Sequence, residues 1–187
     1  MRHGQTTGDI EDRYGGDYED HLSEEGIRQA QNLGQKLIGK NIEIIFCSPR
    51  IRAQETAKIV NENIGVPLEI DRNIRERNHY GILTGMIKSE AKKKYPLDVE
   101  KVKNVHDVAS GGENYQDFKN RITKSWNKLI NSNHHVIGVV SHGGPIKLIF
   151  REILKVGEIK INDCAYVLLK VENGQTKIEL MDGILLL

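Results

Sequence analysis

The sequence predicts an α/β fold: a three-layer α/β/α sandwich around a mainly parallel sheet. Three observations carry that expectation. Short apolar, β-branched runs alternate with stretches of helical periodicity. Two of those runs, at 42–47 and 136–140, pass straight into a polar turn and then a helix. With 187 residues, the chain is long enough to bury a core without disulfide or metal staples.

Residues 5–21 are rich in Gly, Asp, Thr and Tyr and have neither period, so they read as a long loop of the kind that carries function. Ser23 reads as an N-cap, with Glu24 and Glu25 suited to the positive end of a helix. Ile27, Ala30, Leu33 and Leu37 then mark its buried face before Gly39 stops it. Residues 42–47 form a buried strand, and Ser48-Pro49 is expected to supply the N-cap and first residue of the next helix. That helix runs to about residue 63 and holds Arg52 in its first turn.

A short strand is expected at 68–70, followed by a polar, irregular stretch containing Glu76. Residues 87–95 read as a Lys-rich helix closed by Pro96, and 97–113 as loop with weak helical tendency; 77–113 would form a lid. Phe118, Ile122, Trp126, Leu129 and Ile130 line one face of a helix from 114 to 130. Strand 136–140 leads into Ser141-His142-Gly143-Gly144, with Pro145 opening a helix that lasts to Leu154. Residues 165–171 and 176–181 flank an Asn-Gly turn and read as a hairpin. The apolar end, Ile184-Leu185-Leu186-Leu187, is expected to fill a core edge, and the whole of 1–187 reads as one domain.

The 27 basic residues nearly balance the 26 acidic ones, so no global field draws the chain to nucleic acid or to an anionic membrane. No apolar stretch reaches the length of a membrane span and no secretory segment opens the chain, which makes a cytoplasmic protein the expectation. Cys47 and Cys164 each lie in an apolar run and read as buried thiols. Oligomeric state is not legible.

The chemistry-bearing residues are scattered: Arg2-His3-Gly4 at the start, Arg52 after the first strand, Glu76 in a loop, and His142-Gly143 after a late strand. Guanidinium groups match phosphate oxygens with a planar, permanently charged fork, and a neutral imidazole can attack phosphorus. His142, between a strand and a helix N-terminus, suits an anion site. Glu76 lies among Arg72, Arg75 and Arg77, a setting equally readable as a surface ion-pair cluster. His21, His79, His106, His134 and His135 have no regular ligand spacing.

Arg2-His3-Gly4, Leu22-Ser23 with Gly26 and Ala30, Ser48-Pro49, Arg52-Ala53, Thr56-Ala57, Glu76, Tyr80-Gly81 and Ser141-His142-Gly143, in that order, resemble the histidine phosphatase superfamily in its phosphoglycerate mutase-like branch. Gly111-Gly112-Glu113 followed by Phe118 and Arg121 resembles the pattern before that family's penultimate helix.

The resemblance implies a phosphate pocket at the C-terminal ends of the strands. His3 would be the nucleophile; Arg2, Arg52, His142 and Gly143 would bind the phosphoryl group; Glu76 would be acid and base, with its proton affinity raised by its surroundings. His3 should keep one ring nitrogen unprotonated by donating the other N–H to a backbone carbonyl. The implied activity is phosphomonoester hydrolysis through a phosphohistidine, on a small phosphorylated substrate, with no metal or organic cofactor. A cofactor-dependent phosphoglycerate mutase and a non-catalytic phospholigand-binding protein are the alternatives.

The chain departs from the family at three points. Only Met1 precedes Arg2, where the family usually carries an apolar central strand, so either the recorded start is internal to a longer reading frame or the sheet lacks its middle strand, in which case a hole through the core and a His3 on a fraying terminus are expected. Gln5 stands where Glu is common. Asp9 stands where the family often has Asn, and since a carboxylate repels phosphate it is left out of the site, with Thr6 or Arg13 expected to help instead.

Overall fold

A computed structural model describes all residues, 1–187. Strand β1 (Ile44–Cys47) is the middle of a parallel sheet, with β2 (Leu68–Ile70) on one side and β3 (Ile137–Val140) on the other. All four β1 residues are buried, as a parallel strand covered on both faces requires. Alternation sorts them between two layers. Ile45 and Cys47 pack on helices α2 (Glu24–Leu37) and α3 (Ile51–Asn61), through Leu33, Leu37, Ala53, Ala57 and Val60. Ile44 and Phe46 pack on Leu129 of α6 (Tyr115–Ile130). The three layers are therefore present.

Local chemistry sets the element ends. Ser23 Oγ accepts from the Gly26 N–H at 3.0 Å and starts α2. The Asn114 side chain accepts from the Asp117 N–H at 2.9 Å and starts α6. The expected loop 5–21 contains one helical turn, α1 (Thr7–Ile10), closed by a reciprocal box between Thr6 and Asp9. Two short helices, α4 (Lys88–Lys94) and α5 (Pro96–Lys101), occupy the segment after Glu76, and Pro96 opens the second rather than ending the chain's helicity there.

Three local expectations need correction. Arg50, not Ser48, is the N-cap of α3; Ser48 Oγ accepts the Arg50 N–H at 3.3 Å just ahead of the helix and also pairs with His142. Helix α7 (Gly143–Leu148) begins two residues before Pro145 and continues as a π turn over Ile149–Ile153. Proline is tolerated there since the first-turn N–H groups have no intrahelical acceptor. Of the apolar end, only Ile184 is buried; Leu185 is 65% and Leu187 82% exposed.

The hairpin is longer than expected, with β4 (Ile159–Glu172) antiparallel to β5 (Gln175–Leu186). Asn173 and Gly174 have φ of +52° and +74°, the two left-handed residues that a tight hairpin turn demands. Between β3 and β4 lies only the stub Met1–His3. Its bonds run from Met1 N to the Val139 carbonyl (2.8 Å), from Ser141 N to the Met1 carbonyl (2.9 Å) and from Arg2 N to the Ala165 carbonyl (2.9 Å). Beyond Met1 the two strands stay apart, leaving an apolar cleft of about 660 Å³ lined by Trp126, Leu129, Val139, Phe150, Tyr166 and Leu168 among others. No helix is long and apolar enough to cross a membrane.

Candidate active site

Parallel strands β1 and β3 and the stub all point their C-terminal ends the same way, with Arg2 and Ser141 bridged in parallel. The residues that follow those ends, Gly4, Ser48 and His142, therefore meet at one edge of the sheet, where ligands of open α/β sheets bind. A polar cavity of about 100 Å³ opens there, lined by Arg2, His3, Arg52, Glu76 and Gly143 together with parts of the 6–20 loop. It has room for a group the size of one phosphate, well short of the ~300 Å³ that an entire drug-sized ligand fills. The larger apolar cleft lies on the other side of Met1 and has none of this chemistry.

His3 and His142 are both buried, their ring centroids 5.0 Å apart. His3 Nδ1 lies 2.8 Å from the Gly4 carbonyl, to which it donates, so Nε2 is the unprotonated nitrogen and accepts from Arg52 Nε at 3.3 Å. The other Arg52 nitrogens donate to the Tyr18 carbonyl (2.7 Å) and the Gly16 carbonyl (2.8 Å). Burial, then the charges of Arg52 and Arg2, hold His3 well below the ordinary histidine value. Burial and the same arginines depress His142 too. Both imidazoles are neutral near pH 7.

His142 Nε2 pairs with Ser48 Oγ at 2.7 Å, and its Nδ1 is buried without a partner. Arg2 donates to the Ile161 carbonyl (3.1 Å) and pairs with Asp163 (3.0 Å), leaving its buried Nε unsatisfied. Two unpartnered polar nitrogens beside one cavity are what a site for an oxygen-rich anion presents. The Glu76 carboxylate accepts from Arg77 N (2.8 Å) and Gly144 N (3.0 Å), which docks it on the start of α7. A Cβ at 144 would lie 2.1 Å from Glu76 Oε1, so a larger residue there has to displace the Glu76 carboxylate.

All the residues singled out in the sequence thus converge, with two adjustments. Asp9, set aside because a carboxylate repels phosphate, does line the cavity; one of its oxygens is held by the Thr6 N–H and Oγ in the α1 box. Arg13 reaches the cavity mouth, where it donates to the Gly85 carbonyl at 2.6 Å and pairs with Glu11.

The profile of the Histidine phosphatase superfamily (branch 1) matches residues 1–182. The chain belongs to this superfamily. Among its histidine phosphatase relatives, phosphoserine phosphatase 1 of Hydrogenobacter thermophilus is 31% identical over 160 residues, covering 83% of this chain and 75% of that one. Adenosylcobalamin/alpha-ribazole phosphatase of Escherichia coli is 29% identical over 163 residues, covering 82% and 77%. The crystal structure of the alpha-ribazole phosphatase from Shigella flexneri superposes with a TM-score of 0.87 at 22% identity, over 97% of this chain and 93% of that one, and shows the shared fold.

Sequence reading missed several residues of this histidine phosphatase site. Tyr18 and Asp20 line the cavity from the long loop, and Asp163 faces Arg2 from β4. Burial raises the Asp163 pKa, against the pull of Arg2. For Tyr18 and Asp20 the sole signal is that a 17-residue polar loop of this kind usually carries function; Asp163, on β4, has none. Ser48 was visible in the motif, but its bond to His142 spans 94 positions and no local pattern announces it.

Proposed function

We propose that this protein is a phosphomonoesterase that works through a phosphohistidine at His3 on a small phosphorylated substrate. The observation that carries this reading is the convergence of His3, Arg2, Arg52 and Glu76 on one small polar cavity, with the fully buried His142 ring packed 5.0 Å behind that of His3. The names of relatives such as phosphoserine phosphatase 1 support hydrolysis of a phosphate monoester.

In the first step His3 Nε2 attacks phosphorus, forming a P–N bond as the P–O bond to the alcohol breaks. The leaving oxygen takes a proton from Glu76. Water then attacks the phosphohistidine, giving its proton to Glu76 while the P–N bond returns its electron pair to His3. Arg2 and Arg52 hold positive charge against the equatorial oxygens, where phosphoryl transfer is mostly positioning and electrostatics. The neutral state of His3 makes it ready to attack without prior deprotonation.

The test is hydrolysis of p-nitrophenyl phosphate in the presence of a chelator, beside 3-phosphoglycerate with a trace of 2,3-bisphosphoglycerate. Hydrolysis by the wild type and its loss by more than about 10³-fold in His3→Ala is the expected outcome. Fast isomerisation without hydrolysis would instead assign a mutase, and phosphate binding with neither reaction a non-catalytic role.

A further inference from the structure

Arg121, on α6, is a guanidinium with almost no access to water: its side chain is 9% exposed. Burying such a charge is costly unless every donor is satisfied, and here each of the five N–H groups has an acceptor. Two go to the Glu113 carboxylate, from Nε (2.7 Å) and Nη2 (2.8 Å). The other three go to backbone carbonyls of one short stretch: Asn73 (2.6 Å) and Arg75 (2.8 Å) from Nη1, and Glu76 (2.9 Å) from Nη2. That stretch belongs to no strand or α-helix, so no ladder fixes it.

Glu113 grips the same loop from its other end. Its N–H donates to the Asn78 carbonyl at 2.8 Å, and its carbonyl accepts from Arg77 Nε at 3.0 Å. The Glu76 backbone is thus held by Arg121 while its carboxylate rests on Gly144 N. The Glu113 carboxylate satisfies only two of the five donors, and the other three are met by the backbone of the loop that carries the half-buried Glu76 carboxylate, so the burial of Arg121 and the path of that loop depend on each other.

We propose that Arg121 and Glu113 are positioning residues that set where the Glu76 carboxyl stands relative to the leaving oxygen. The proposal rests on the reading of Glu76 as proton donor. A misplaced donor matters according to the leaving group: an alkoxide needs the proton in the transition state, whereas p-nitrophenolate departs well without it. A misplacement of about 1 Å can cost ~10²-fold in rate.

The experiment compares kcat/KM for glycerol phosphate and p-nitrophenyl phosphate in wild type, Arg121→Lys, Glu113→Gln, Glu76→Gln and His3→Ala. Lysine keeps the charge but cannot make the five-way fork. The expected result is that the glycerol phosphate to p-nitrophenyl phosphate ratio falls about 10-fold or more in Arg121→Lys and Glu113→Gln, in the direction set by Glu76→Gln. Adding Arg121→Lys to Glu76→Gln should then change that ratio by less than about 2-fold, because both remove one function.

Equal losses on both substrates, an unchanged ratio, or failure of both variants to fold by circular dichroism would overturn the positioning role. An active His3→Ala, or a Glu76→Gln with no leaving-group selectivity, would instead overturn the underlying mechanism.

Discussion

At the scale of single residues, the site is governed by what burial does to nitrogen. His3 and His142 lie in a dry setting beside two guanidiniums, and the Met1 amine, buried against the Val139 carbonyl, is pushed from 8.0 down to about 5. In the unfolded chain these groups take up protons near 8.0 and 6.5; in the folded chain they do so only at lower pH. The unfolded state therefore binds more protons as pH falls, so stability declines below about pH 8, and more steeply below about 6.5. Each group contributes at most about 1.4 kcal/mol per pH unit. Urea unfolding midpoints should fall in the order pH 8.5, 7 and 6; a flat profile contradicts the burial argument. Ser48→Ala leaves His142 Nε2 buried without a partner, which should cost about 1–3 kcal/mol of stability. On the proposed mechanism it should also lower kcat for p-nitrophenyl phosphate by about 10-fold or more, equivalent to ~1.4 kcal/mol.

At the scale of elements, the catalytic stub depends on a close approach between backbones. A Cβ on Gly26 of α2 would lie 2.0 Å from the Gln5 carbonyl, and one on Gly4 would lie 2.6 Å from the Gly26 carbonyl. Alanine at 26 is favoured by helix propensity by ~1 kcal/mol, but both clashes are with backbone, so α2 must move away from the segment after His3. Gly26→Ala should therefore destabilise the protein by about 1–3 kcal/mol despite its better propensity, as thermal or urea unfolding would register. At this scale much was legible. The cap at Ser23, the start of α6 near 114, β1, β3 and the Asn173-Gly174 turn all follow from local patterns. Helix α3 starts at Ile51, later than the Ser48-Pro49 pair predicts, although Ser48 Oγ does accept the Arg50 N–H at 3.3 Å while also pairing with the distant His142. The first half of β4 was not read because Cys164, at φ +51°, interrupts the alternation with a bulge.

At the scale of the whole molecule, the cleft beside Met1 is the dominant packing defect. It is bounded by β3 and β4, and its walls are mostly apolar, including Trp126, the chain's one tryptophan. A six-residue apolar, β-branched extension joined ahead of Met1 should enter it, pair with β3 and remove the buried amine. Burying two or three such side chains, at about 1.5–3 kcal/mol each, should raise Tm by about 5 °C or more. Trp126 emission should shift to the blue, and the part of the stability loss that begins near pH 8 should vanish. Unchanged Tm and emission would show that the cleft does not accept a strand.

The chain's own order of residues determined the layered α/β architecture and the two strand-to-helix turns, and its motif order, through the family resemblance, singled out His3, His142, Arg2, Arg52 and Glu76 as candidates. These depend on periodicity, capping and motif order, which are local or nearly so. Only the tertiary structure decided the rest: that Ser48 serves His142, that Asp9 turns toward the cavity, and that Arg121 reaches the Glu76 loop across 45 positions. The physical reason is that a buried polar group must find its partner wherever the fold brings one within reach, and that choice leaves no periodic trace along the chain.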